Sequence, residues 1–207
     1  FTGYEYRYAE FSPRESEYRR FLDALSAQSK GMSFAALVDD FDLADGTVVG
    51  TSSGGQVWTQ VSGTDRIGII GNAATNLTTG NCRVHFNIAT PNYTVMAQIG
   101  TISSECNIIL RWVNTNNYLR LQLLPATALL QEVVAGAATT IFIATGSTRS
   151  AGDIVRVENS RDRVQIFVNG VIYGEHLTTR FNTSTSFGLQ MSGATGHAKI
   201  RAIAAFS

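Results

Sequence analysis

The sequence predicts an all-β, two-sheet antiparallel sandwich preceded by one α-helix. Three observations predict it. From Met32 onward, short runs alternate apolar and polar residues and are split by Gly, Asn, Ser and Thr, the spacing of a sandwich or barrel. Residues 163–176, RVQIFVNGVIYGEH, set Asn169-Gly170 between two such runs, the strongest short-range hairpin signal. Residues 12–29 alone carry a helical pattern.

The helix comes first in the chain. Ser12, Pro13 and Glu15 supply an N-cap, a residue suited to the first turn and the acid of a capping box. Tyr18, Phe21, Leu22 and Leu25 then recur at helical spacing, and Gly31 is a natural stop. The expected helix runs from Pro13 to Ser29, after an aromatic segment FTGYEYRYAEF. Residues 1–31 are thus read as an arm and helix that pack on the domain or on a neighbouring subunit, and residues 32–207 as the sandwich domain.

The expected strands are 36–41, 56–61, 66–70, 83–89, 94–99, 107–113, 118–124, 130–134, 140–144, 153–158, 163–168, 171–173, 186–191 and 198–206. Asn169-Gly170 reads as a type I′ turn, which needs φ > 0 at both positions. One buried face gives a period of two. Val84, Phe86, Ile88, Val95, Ala97, Ile99, Ile108, Leu110, Trp112, Leu119, Leu121, Leu123, Val155, Val157, Val164, Ile166 and Val168 therefore point to the opposite sheet. Their alternates form the solvated face. The last strand, AKIRAIAAF, breaks the alternation, and its faces stay unassigned.

Composition narrows the partners. Formal net charge is zero, with 16 basic and 16 acidic residues, so there is no electrostatic footprint for nucleic acid or an anionic membrane. No apolar stretch approaches the ~20 residues of a membrane-spanning helix. Lys is rare (Lys30 and Lys199) beside Arg, which reads as a GC-rich coding bias. Cys82 and Cys106 are not in a C-x-x-C pair, which argues against zinc. Two buried thiols are the favoured reading, with a disulfide as the alternative.

Several motifs together resemble a known family. DDFDLADG at 39–46, Trp58, and GNAA at 71–74 resemble the opening of concanavalin A-like (laminin G-like) jelly-roll modules. NTNNYLRLQL at 114–123 and DIVRVENSRDRVQIFVNG at 153–170 resemble their central strands, and AKIRAIAAF their final one. Arg66 stands where the family usually has an aromatic residue. The resemblance implies a jelly-roll sandwich that binds carbohydrate, serves as a spacer or, in some branches, hydrolyses glucans. Similar modules occur in bacteriophage tail and fibre proteins. That analogy implies a virion or extracellular location, with residues 1–31 contacting other virion or self subunits.

No catalytic group emerges. Retaining glycosidases need two carboxyls about 5 Å apart. The glucanase branch carries a Glu-x-Asp-x-x-Glu run, which is absent here. Glu158 and Asp162 straddle a turn, and Glu132 stands alone. His85, His176 and His197 lack metal-ligand spacing. The expectation is a non-catalytic protein. Asp39, Asp40, Asp42 and Asp45 crowd one turn; they are candidate calcium ligands, with Asx-turn chemistry as the plain alternative. No other cofactor is expected.

The candidate binding face is the solvated one. Arg83, His85, Asn87, Gln98, Arg111, Tyr118, Arg120, Gln122, Arg156 and Gln165 supply planar donors and acceptors for sugar hydroxyls, and Tyr118 or Phe167 could stack on a ring. The partner would be a cell-surface glycan. Burial of that face by the helix or a subunit is the competing reading, and the 114–117 loop tip is a second candidate. Two functions follow: a virion structural and adhesion module, or a free-standing carbohydrate-binding module or lectin.

Overall fold

A computed structural model describes residues 13–29, 37–53, 55–61, 66–145, 150–196 and 198–207. The expected Ser12 cap, the aromatic arm, the Gly31 stop, Ala36 and His197 lie outside the described residues, as does the side chain of Leu25. Helix α1 spans Pro13–Ser29. The strands are β1 (Leu37–Asp39), β2 (Thr59–Gln60), β3 (Ile67–Ile69), β4 (Ala74–Asn76), β5 (Cys82–Asn87), β6 (Tyr93–Ile102), β7 (Glu105–Asn114) and β8 (Asn117–Leu123). They continue with β9 (Thr127–Val134), β10 (Ala137–Thr145), β11 (Ile154–Asn159), β12 (Arg163–Val168), β13 (Val171–Leu177), β14 (Ser186–Ser192) and β15 (Ala198–Phe206).

The strands form two antiparallel sheets, as expected. Sheet 1 runs β13-β12-β11-β6-β15-β4-β3, with β1 also paired to β15. Sheet 2 runs β10-β9-β8-β7-β14-β5-β2. Consecutive hairpins such as β7–β8–β9–β10 alternate with long crossovers, so that β14 inserts between β5 and β7. Between the sheets lies one apolar core. Val84, Leu189, Ile108, Leu121 and Leu130 enter it from sheet 2, and Val95, Ala97, Val155, Val157, Val164 and Ile166 from sheet 1.

The hairpin adopts the expected turn. Asn169 has φ of 50° and Gly170 φ of 80°, and Val168 pairs with Val171. One strand escaped the pattern: β4 is only three residues long, and all three are buried, so it shows no alternation. The last strand takes its irregular reading from bulges at 199/200 and 200/202. They send Ile200, Ile203 and Ala205 into the core and Ala202 and Ala204 to the outside, under the helix.

Helix α1 lies on the outer face of sheet 1. Phe21, 1 % exposed, packs among Val38, Met96, Ile154, Ala202 and Ala204. Tyr18 and Leu22 remain on its exposed side. Cys82 and Cys106 are buried thiols that form no disulfide; each pairs across strands with Met191, which separates them. Burial pushes the Cys106 thiol up to about 12.

One expectation about faces is corrected. Register slips between Leu110 and Asn114 where β7 meets β8, and Arg111 takes a left-handed φ of 49°. The extra residues reverse the alternation beyond Leu110. Arg111, expected outside, is completely buried. Trp112, expected to face the other sheet, belongs instead to a separate outer cluster with Ile109, Tyr118 and Val133.

Arg111 ties the sheets together at one end of the sandwich. Its Nε donates to Asn159 Oδ1 at 2.8 Å, Nη1 to the carbonyls of Thr178 and Arg180, and Nη2 to that of Ser160. Its backbone N–H donates to the Tyr93 hydroxyl at 2.8 Å, from β6 of the opposite sheet. Burial lowers the pKa of the guanidinium; the nearby Tyr93, Asp162 and Glu132 oppose the shift.

Candidate functional site

The ten candidate side chains do not share one surface. Gln98, Arg156 and Gln165 lie on β6, β11 and β12 of sheet 1, whereas the other seven lie on β5, β7 and β8 of sheet 2. A period of two separates inside from outside but cannot say which sheet a strand joins. The single broad face is therefore two faces on opposite sides of the molecule. Arg111 is on neither, since it points into the sandwich end.

The sheet 1 face is occupied. Helix α1 covers part of it through Phe21. Arg156 sits 3.6 Å from the Phe167 ring centre and bonds Glu158, so Phe167 presents no free ring at that contact. Gln165 donates to Glu175 at 2.6 Å.

The outer face of sheet 2 is built differently. Register places Arg83, Gln190, Asn107 and Gln122 directly across from one another on β5, β14, β7 and β8. The next row runs His85, Gly188, Ile109, Arg120 and Gln131. Gly188 is the residue that fits there, because a Cβ would run into the Val84 carbonyl oxygen. Beside these rows Trp112 stacks on His85, ring centres 5.7 Å apart, and on Tyr118 at 5.4 Å. Tyr118 is only 2 % exposed, so it supports the stack rather than offering a free platform.

Hydrogen bonds fix several of the polar heads. Arg120 donates to Gln131 Oε1 at 2.7 Å and to Glu105 Oε1 at 3.2 Å. Glu105 Oε1 also accepts from Asn107 Nδ2 at 2.7 Å, and Gln131 donates to Thr140. Arg83 Nη1 donates to the Thr115 carbonyl at 3.0 Å while its guanidinium lies over the Tyr118 ring. Gln190 Nε2 donates to Asn81 Oδ1. Asn87, at the exposed end of β5, accepts from the Ala89 N–H.

The network leaves some atoms over. Arg83 Nε, His85 Nδ1, Asn107 Oδ1 and Gln190 Oε1 are buried without a hydrogen-bond partner. Among the described residues a fifth such atom, Gln60 Oε1, lies on edge strand β2. Buried polar groups are nearly always satisfied, by protein or by ordered water. Burial also lowers the His85 pKa, which favours the neutral ring.

Other candidates are self-contained. In the loop tip, Asn114 Oδ1 accepts from the Asn116 N–H and Asn117 Nδ2, and Asn117 Oδ1 accepts from the Ala135 N–H. In the acidic turn each carboxylate has its own contact. Asp39 accepts from Trp58 Nε1 at 2.9 Å and the Phe41 N–H, Asp40 from the Asp42 N–H, Asp42 from Asn72 and Asp45 from the Gly71 N–H. Burial outweighs those bonds at Asp39 and raises its pKa to about 6. Among the described residues no three His, Cys, Asp or Glu side chains group as metal ligands would. A cleft of about 800 Å³ at the sandwich rim includes Glu132, whose carboxylate is taken by Thr178 and Arg180.

Asn107, Gln190, Gln131 and Trp112 were missed as site residues. A signal existed for Gln190: in SFGLQMS, Gly188 and Gln190 alternate with Phe187, Leu189 and Met191. For Trp112 none did, because a bulge decides its side.

No family model and no curated protein sequence matches the chain. Solved structures share its fold. The carbohydrate-binding module CBM66 from Bacillus subtilis superposes with a TM-score of 0.57 at 16 % identity, covering 72 % of this chain and 95 % of that one. The carbohydrate recognition domain of Emp47p gives 0.53 at 10 %, covering 83 % and 95 %. A Bacillus subtilis protein of unknown function with a galectin-like fold gives 0.54 at 13 %, covering 72 % and 88 %. At these identities the likeness is one of fold, and it is the jelly-roll class expected from the sequence.

Proposed function

We propose that the chain is a non-catalytic carbohydrate-binding module whose ligand sits on the outer face of sheet 2. One observation carries this: that face sets planar polar side chains in two cross-strand rows, Arg83, Gln190, Asn107 and Gln122, then His85, Arg120 and Gln131, beside the Trp112 stack. Sugars recognise such surfaces through many hydroxyls. The sandwich neighbours that include carbohydrate-binding and carbohydrate-recognition domains support the same reading. Of the two functions set out from the sequence, a free-standing binding module has this support, whereas the virion role has no residue behind it. The non-catalytic reading rests on the acids of the face. Glu105 is the one carboxylate in a strand of sheet 2 that points outward, and it is bonded to Asn107 and Arg120. A glycosidase needs a second carboxyl about 5 Å away.

A pair of substitutions separates the two faces. Arg120→Met removes a charged donor from sheet 2 but keeps the apolar stem, and it should weaken binding about tenfold, the usual effect of losing one charge-assisted bond. Gln165→Ala, on sheet 1, should leave the dissociation constant unchanged. Isothermal titration of both variants with one bound oligosaccharide measures this. An unchanged Arg120→Met variant would contradict the choice of face.

A further inference from the structure

We infer that the cleft at the open end of the sandwich is a second sugar site, in which Asp162 and His176 hydrogen-bond the hydroxyls of a bound sugar unit. Its location is independent of the outer face of sheet 2, whereas its ligand class rests on the carbohydrate-binding reading.

The inner faces of the two sheets change character at this end. Phe142 of β10 pairs with Leu130 and closes one side of the sandwich against Gly174 of β13, where a Cβ would strike the Phe142 ring. Inner positions at that seam, Leu130 and Ile166, belong to the core. One step further along, the inner position of β9 is Glu132, paired with the core residue Leu119. That of β13 is His176, paired with the core residue Val164. Residues directly opposite on antiparallel strands share a face, so both side chains stand where the pattern calls for apolar ones. A core pattern broken on both sheets at one opening marks a place where function sets the residues. Asp162, from the turn between β11 and β12, joins them around a cleft of about 800 Å³, within the range of about 300–1,000 Å³ for ligand pockets.

The frame of the cleft is held from within. The completely buried Arg111 donates to the carbonyls of Thr178 and Arg180, and the Thr178 N–H donates to the Asp162 carbonyl. The Thr178 hydroxyl donates to Glu132 Oε1 at 3.1 Å, and Arg180 Nε lies 3.6 Å from Oε2. Phe181 lines the wall in a left-handed conformation, φ 53°, which is costly for a bulky residue and is kept chiefly at functional sites. Other groups at the opening are not used by the fold. Among the described residues the Asp162 carboxylate, the His176 ring and the Thr179 hydroxyl make no hydrogen bond or ion pair.

These groups match hydroxyls. Asp162 accepts, Arg180 donates, and His176 and Thr179 do either. A sugar hydroxyl both donates and accepts, so neighbouring hydroxyls can pair with all of them. The carboxylates of Glu132 and Asp162 are balanced by the guanidiniums of Arg180 and of Arg111 beneath, so no net charge from these groups selects an ion.

An array of oligosaccharides identifies sugars that bind the full chain, and the tightest neutral one is titrated into the isotope-labelled protein. Two sets of backbone amides should shift: one on sheet 2, and a second at Asp162, His176, Thr179 and Phe181 with its own dissociation constant. Asp162→Ala and His176→Ala should each weaken the second set about five- to tenfold, the effect of losing one hydrogen bond, and leave the first set unchanged. Neither side chain is bonded within the protein, so the melting temperature should hold in both variants. Shifts on sheet 2 alone would overturn the second site and leave the carbohydrate-binding reading intact. A second set insensitive to both substitutions would overturn the roles of Asp162 and His176. Shifts at the second set alone would support this site and contradict the choice of the sheet 2 face. Binding to no glycan on the array would overturn both.

Discussion

Replacing Arg111 with Met should destabilise the protein by about 3–5 kcal/mol, the range for breaking a buried charged network. Met has a similar stem but no donors. The substitution would strand Asn159 Oδ1 and the carbonyls of Ser160, Thr178 and Arg180, all of which accept from this one side chain. Each buried acceptor left unpaired carries a desolvation penalty of about 1–3 kcal/mol, partly relieved by relaxation and water entry. For a chain of this size, such a loss lowers the melting temperature by roughly 6–20 °C. Arg111→Lys should fall between Met and wild type, because an ammonium cannot span the planar fan of acceptors that a guanidinium spans. Thermal unfolding followed by circular dichroism measures both. A Met variant as stable as wild type would mean that the sheets are joined at this end by packing alone.

Trp112→Ala should show a double effect. The ring packs with Ile109, Tyr118 and Val133 and stacks on His85. Removing a large buried aromatic typically costs about 3–5 kcal/mol. At 9 % exposure on an outer face, the lower end applies, a melting shift of roughly 6–12 °C. Glycan affinity should fall as well. The stack positions Tyr118, on whose face Arg83 rests, so its loss loosens the packing of a donor on the proposed face. Trp112→Phe should restore much of the stability and part of the affinity. Loss of stability with undiminished affinity would separate the aromatic stack from the binding row.

The fold was legible because one buried face imposes a period of two. RVQIFV at 163–168 and AKIRAIAAF at 198–206 have the bounds expected of them, and Asn169-Gly170 takes the positive φ at both positions that its two-residue hairpin turn needs. The site was legible only in part. Arg83, His85, Arg120 and Gln122 point outward as their alternation requires, yet Gln98, Arg156 and Gln165 do so on the other sheet. Sheet membership depends on long-range pairing, such as β14 entering between β5 and β7, and no local pattern records it. The exchange of Arg111 and Trp112 depends on a bulge with a left-handed residue, which leaves apolar and polar letters in the expected places while turning them over.

The central claim, that sugar binds the outer face of sheet 2, is tested most directly by mapping backbone amide shifts while a neutral oligosaccharide is titrated into the isotope-labelled protein. The perturbed amides should cluster at Arg83, Asn107, Arg120 and Gln190, on strands β5, β7, β8 and β14. A cluster at Met96, Gln165 and Phe167 on sheet 1, or confined to the 114–117 loop tip, would contradict it.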